Sequence, residues 1–141
     1  MKKKIVISKT PLRVSFIGGG TDFSNFYKKN NGEVISAAIN KYVYITIKAH
    51  NNTYDEKYRL NYSDTENKNN ISSINNKLIK ECLKFTGIKD KLYISIISDF
   101  PAGSGMGGSS STIVGLLNAI YAFMGKKISK KKLLKIAHEI E

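Results

Sequence analysis

The chain has 141 residues, 41% of them hydrophobic and 24% charged, the size and composition of a single soluble globular unit. No apolar run approaches the roughly 20 residues that a membrane-spanning helix needs, and the basic start Met1-Lys2-Lys3-Lys4 leads only into Ile5-Val6-Ile7, too short for a signal peptide. The net charge of +12 would suit nucleic acid, yet only Arg13 and Arg59 among the 23 basic residues carry the planar fork that reads bases, so a small anionic substrate is the expected partner.

Ile5 to Ser8 and Leu12 to Ile17 read as short strands separated by Thr10-Pro11, the second broken by Gly18-Gly19-Gly20. Glu33 to Ile39 and Lys41 to Ala49 read as two further strands, the latter alternating Val43, Ile45 and Ile47 against Tyr42, Tyr44 and Thr46. Lys57 to Tyr62 is another strand, and the polar stretch Ser63 to Asn70 is expected to be a loop. Ile71, Ile74, Leu78, Ile79, Cys82 and Phe85 recur at helical spacing ahead of Gly87, which stands where a C-cap glycine belongs. The lone Cys82 has no internal disulfide partner and reads as core packing, with the cytoplasm as the expected compartment.

Leu92 to Ile97 reads as a buried strand. After it, Ile113, Leu116, Leu117, Ile120 and Phe123 form one helical stripe ending at Gly125, and Ser129 is placed to cap a last helix bearing Leu133, Ile136, Ala137 and Ile140. The helical rhythm is still running at Ile140-Glu141 with no stop signal, so the chain is expected to be a truncated part of a longer one. The order of elements predicts an α+β fold, and there is no internal repeat or low-complexity segment.

The densest chemistry lies between the strand ending at Ile97 and the next helix, in Asp99-Phe-Pro-Ala-Gly103-Ser-Gly105-Met-Gly107-Gly108-Ser109-Ser110-Ser111-Thr112. Glycines let backbone N–H groups approach a polyphosphate, and the start of the following helix favours negative charge. Serine hydroxyls in its first turn can cap the helix, bond a phosphate or ligate Mg²⁺. Gly103, Gly105 and Gly108 satisfy G-x-G-x-x-G, but positions 112 to 138 hold no acidic residue to bind a ribose, which disfavours a dinucleotide site. Ser109 stands where a P-loop needs lysine, and that reading fails. The plainer alternative is a glycine turn with serine caps and no ligand.

The loop resembles the P-x-x-x-G-L-G-S-S motif of the GHMP kinases, matched by Pro101, Gly105, Met106, Gly107 and Ser109, with Gly108 in place of the first serine. A second segment, Thr10-Pro-Leu-Arg13-Val-Ser-Phe-Ile-Gly18-Gly-Gly20-Thr-Asp22, is similar to the substrate-side signature of the same superfamily. Where galactokinases carry an acid and a histidine, this chain has Gly19 and Gly20, while Thr21 and Asp22 match. That form, with Pro-Ala-Gly before the loop and Val114-Gly-Leu-Leu-Asn-Ala-Ile-Tyr after it, resembles the branch of D-glycero-D-manno-heptose 7-phosphate kinases.

The resemblance implies the superfamily's N-terminal domain over residues 1–141, of ribosomal protein S5 domain 2-like type, with a mixed sheet, helices on one side and the C-terminal domain missing. It implies ATP on Pro101, Gly103, Ser104, Gly105, Met106, Gly107, Gly108, Ser109 and Ser110. It implies a small sugar phosphate on Arg13, Gly18, Gly19, Gly20, Thr21 and Asp22, Arg13 also orienting the acceptor or the transferring phosphoryl group. Mg²⁺ is expected on Ser109 and Glu141, with Glu139 as the competing carboxylate, and the catalytic aspartate beyond residue 141. The plain readings are an Asx-turn for Asp22, a surface ion pair for Arg13 and a solvated helix face for both glutamates. His50 and His138 have no second ligand spaced for zinc and receive no role. Another sugar kinase of the superfamily, fucokinase-like for example, and a non-catalytic ligand-binding remnant stay open at this point.

Overall fold

Val43, Ile45 and Ile47 alternate along one strand and are at most 1% exposed, so that strand must have one face covered. The cover is helical. The structure, a computed structural model, describes residues 4–21, 24–50 and 52–141. They form β1 (Ile5–Ile17), a short α1 (Ser24–Tyr27), β2 (Ile35–Ala49), β3 (Tyr58–Asn61), β4 (Thr65–Lys68), a 3₁₀ turn at Ile71–Ser73, α2 (Lys77–Thr86), β5 (Leu92–Ser98), α3 (Gly108–Phe123) and α4 (Lys130–Ile140).

The five strands make one mixed sheet in the order β1-β2-β5-β3-β4, antiparallel except where β3 runs parallel to β5. Helix α3 lies against β1 and β2, and α2 and α4 flank it. Ile113, Leu116, Leu117, Ile120 and Phe123 are buried, as the stripe in the sequence predicts, and they meet Val43, Ile45, Ile47, Leu60, Leu92 and Ile94 in one core. Gly115 allows the close approach: a Cβ there would lie 2.8 Å from Thr10 Oγ1 and 2.9 Å from the Cδ1 of Ile45. The opposite face of the sheet leaves Ile5, Ile7 and Ile97 exposed.

The elements differ from the sequence expectation in four places. Thr10-Pro11 does not split β1; the strand continues through a register shift between Pro11 and Arg13, which an edge strand tolerates because Pro11 needs no ladder N–H there. The segments expected as Glu33–Ile39 and Lys41–Ala49 are likewise one strand, with positions 39–41 of β2 opposite Leu12 alone. The expected loop 63–70 contains β4, a polar edge strand held by its hairpin partner β3. Helix α2 starts at Lys77, where Asn76 Oδ1 accepts from Ile79 N at 3.0 Å, rather than at Ile71, and Phe85 faces solvent instead of the core. Gly87 does end the helix in the left-handed conformation, at φ 62°. Cys82 is fully buried and burial pushes its thiol up to about 12. Among the described residues no helix is long and apolar enough to cross a membrane.

Candidate active site

The irregularity in β1 positions the site. Where the register shifts, backbone groups of β1 turn to the segment 100 residues further on: Ser111 Oγ donates to the carbonyl of Pro11 at 2.9 Å, and Arg13 N donates to the carbonyl of Met106 at 3.0 Å. On the other side, Asp99 ends β5 by accepting from Tyr42 N at 2.8 Å and returning a backbone bond to Tyr42 O at 3.0 Å. The loop from Pro101 to Gly107 is thus tied at both ends to the first two strands.

Gly107 caps α3 at φ 70°, and a Cβ there would meet Arg13 Cγ at 2.9 Å, so the arginine stem lies directly across the glycine. The first turn of α3 holds no acidic residue of its own, so its N–H groups and positive dipole end favour an anion there. Pro101, Gly103, Ser104, Gly105, Gly107, Gly108, Ser109 and Ser110 line a cavity of about 740 Å³ whose other walls include Leu12, Tyr62, Asn76, Leu78, Ile96 and Phe100. Met106 is the exception in the loop: its side chain packs on the core and its carbonyl takes the Arg13 bond.

A smaller cavity of about 290 Å³ is lined by Ser15, Gly19, Gly20, Val34 and His138, together with Arg13, Gly105, Ser110 and Glu141. Those last four residues also line the larger cavity, so they form the partition between the two. Arg13 Nη1 donates to Ser15 Oγ at 2.6 Å within it. Gly18 and Thr21 line neither cavity and build the turn instead. Gly18, at φ 84°, has no room for a side chain because a Cβ would overlap the carbonyl oxygen of Glu33. The Thr21 hydroxyl proton lies between the carbonyls of Gly18 and Glu33, at 2.8 and 2.9 Å. Asp22 lies outside the described residues.

Glu141 reaches the loop from the end of α4, its Oε1 accepting from Ser110 Oγ at 2.6 Å. Ser110, not Ser109, is therefore the hydroxyl paired with the carboxylate. Successive helix residues point about 100° apart, so Ser109 stands in the larger cavity while Ser110 turns toward α4. Glu139 lines neither cavity. The oxygen donors of Ser110, Ser109 and Glu141 suit a hard cation such as Mg²⁺. A polyphosphate also fits, because Cβ positions at Gly103, Gly105 and Gly108 would meet nothing within 4 Å and the loop backbone is open to the cavity.

Several lining residues were not found by sequence reasoning. His138 sits one helical turn before Glu141, a spacing that could have flagged it. Tyr62 and Asn76 carry no motif, and neither does Glu66, the carboxylate between them, which is 4% exposed. Burial alone would raise the carboxyl of Glu66, but donation from Asn75 N, the Tyr62 hydroxyl and Asn76 N, with Lys68 nearby, holds it below its ordinary value. Burial first, and then that same bond and the charges of Glu66 and Asp64, push Tyr62 up to about 12. His50 stacks on Tyr54 at 4.6 Å with Glu56 at 3.4 Å, and among the described residues no group of three histidine, cysteine, aspartate or glutamate side chains is placed to hold a metal ion.

A family profile described as GHMP kinases N terminal domain matches residues 71–141. The chain is 31% identical to a D-glycero-alpha-D-manno-heptose 7-phosphate kinase of Campylobacter jejuni over 98% of its own length and 43% of that protein's. It is 29% identical to a galactokinase of Thermotoga maritima over 94% of its length and 37% of the relative's. Among solved structures, a D-glycero-D-manno-heptose 1-phosphate kinase from Bacteroides thetaiotaomicron superposes with a TM-score of 0.82 at 28% identity, covering 97% of this chain and 47% of that one. The chain spans less than half the length of each of these relatives.

Proposed function

This chain belongs to the GHMP kinases, and from that premise we propose that it is the N-terminal domain of an ATP-dependent kinase that phosphorylates the anomeric hydroxyl of D-glycero-D-manno-heptose 7-phosphate. The observation that carries the reading is the shared wall of Arg13, Gly105, Ser110 and Glu141 between a large and a small cavity. Phosphoryl transfer needs the donor phosphate and the acceptor hydroxyl to meet across one boundary lined by cations and hydrogen-bond donors.

In this reading the larger cavity takes ATP, its phosphates on the N–H groups of the Gly105–Ser110 segment, and the smaller takes the sugar against Gly19, Gly20 and Arg13. The Arg13 guanidinium, held by Ser15, faces the boundary as a fixed positive charge and stabilises negative charge developing there. Ser109, Ser110 and Glu141 would hold Mg²⁺, which supplies neutralisation of phosphate charge. No group within residues 1–141 is assigned as the base that takes the acceptor proton. Glycine at positions 19 and 20 leaves room for a heptose, and the +12 charge of the chain favours a phosphorylated acceptor over a neutral sugar.

The test is ADP release by the intact protein with heptose 7-phosphate, mannose 6-phosphate, fucose and galactose at low and high ionic strength. Heptose 7-phosphate should give the highest kcat/KM, with a preference that narrows in salt. Galactose or fucose as best substrate would overturn the heptose assignment. In parallel, Gly107→Val should abolish ATP binding by calorimetry, because its side chain displaces Arg13; unchanged affinity in the folded variant would overturn the loop assignment.

A further inference from the structure

Glu66 is a buried carboxylate in a segment that sequence patterning leaves as loop, yet it accepts three hydrogen bonds. Its Oε1 takes the Tyr62 hydroxyl at 2.7 Å and Asn76 N at 3.0 Å, its Oε2 takes Asn75 N at 2.8 Å, and Lys68 Nζ lies 3.8 Å away. A carboxylate withdrawn from water is costly unless its oxygens are fully bonded. Two of these bonds satisfy N–H groups just ahead of α2, which a short neutral cap could also do. The third reaches the end of the β3 strand and holds Tyr62, and with Asn76 that side chain lines the larger cavity.

Glu66 holds the side chain of Tyr62 and the backbone of Asn76. The Tyr62 hydroxyl is spent on Glu66, so the tyrosine presents its ring to the cavity. Asn76 Oδ1 is spent on Ile79 N, so its amide presents N–H donors. With Leu78 and Phe100 alongside, the wall offers aromatic and apolar surface with a donor set into it, which suits a flat nitrogen heterocycle with acceptor atoms.

We propose that Glu66 is a positioning residue for the nucleotide: its carboxylate fixes Tyr62 and Asn76 in the cavity wall and thereby sets how tightly the nucleoside part of ATP is held. The inference rests on the larger cavity being the ATP site. Glu66 touches no ligand itself. A phosphate chain alone would engage only the glycine loop, whereas ATP would engage the loop and this wall, so comparing the two ligands isolates the effect of Glu66.

The experiment is calorimetric titration of the intact protein with ATP and with inorganic tripolyphosphate, for wild type, Glu66→Gln, Tyr62→Phe and the double variant, each checked for cooperative unfolding. Glu66→Gln keeps the size but puts an amide where three donors converge, and should weaken ATP about tenfold while tripolyphosphate changes by less than about twofold. Tyr62→Phe, which removes one hydroxyl and keeps the ring, should weaken ATP about threefold in wild type and by less than about twofold when Glu66 is already Gln. Equal weakening of both ligands, or unchanged ATP affinity in folded Glu66→Gln, overturns the positioning role and leaves the kinase reading standing. Wild type that binds tripolyphosphate as tightly as ATP overturns it too, since the wall would then contribute nothing. Wild type that binds neither ligand removes the ATP reading and this inference with it.

Discussion

Glu66 and Tyr62 share one hydrogen bond whose two partners titrate in opposite directions. Folding lowers the carboxyl of Glu66 below 4.5, so the stability it contributes is present above that value and lost as pH falls through the depressed one. Folding raises Tyr62 from 10.0 to about 12, so its contribution is present below pH 10 and lost as pH rises through the folded value. At neutral pH Glu66→Gln should cost about 1–3 kcal/mol, because buried N–H groups lose a charged acceptor. The gap in Tm between wild type and Glu66→Gln should shrink as the pH is lowered below 4.5, and thermal unfolding followed by circular dichroism across pH 2 to 8 measures it. A gap that stays constant over that range would mean that the charge of Glu66 does not matter to the fold.

At the scale of elements, α3 carries both the core and the site, and Gly115 is where it comes closest to the sheet. Gly115→Val would drive a branched side chain into Thr10 and Ile45 and should destabilise the protein by about 1–3 kcal/mol in urea unfolding with an unchanged m value. A variant as stable as wild type would mean that α3 can move off the sheet at little cost. This helix was fully legible in the sequence because its periodicity is set by burial, and its start was marked by the glycine loop. Strand β4 was not, since Thr65, Glu66, Asn67 and Lys68 have no apolar alternation and are ordered by pairing with β3 and by the bonds to Glu66. Pro11 misled for a related reason: a proline ends a central strand, and its place at the sheet edge is a property of topology. Within the site, the two motifs stood out from spacing and glycine content, whereas Tyr62, just after β3, and Asn76, at the start of α2, reach the cavity with no local signature, and Glu66 stands behind them on β4. The hydrogen bond between Ser110 and Glu141 has no signal in the sequence either, because helical phase decides which hydroxyl turns toward α4.

For the whole molecule, the irregular pairing near Leu12 has a consequence in time. The bonds it frees join Pro11 to Ser111, 100 positions apart, and Arg13 to Met106, both long-range contacts along this chain. Closing a loop of that length costs roughly 4 kcal/mol in chain entropy before any contact rewards it, and such pairings form slowly compared with local helices and hairpins. Helices α2, α3 and α4 and the β3–β4 hairpin can all form while the partition between the cavities is still open. The refolding chain should therefore pass through a stage with most of its secondary structure and no ability to bind nucleotide. Stopped-flow refolding with a fluorescent ATP analogue should show binding lagging the far-ultraviolet signal. Coincident traces would mean that the amino-terminal strand meets the glycine loop early, so that ligand binding is among the first properties the folding chain acquires.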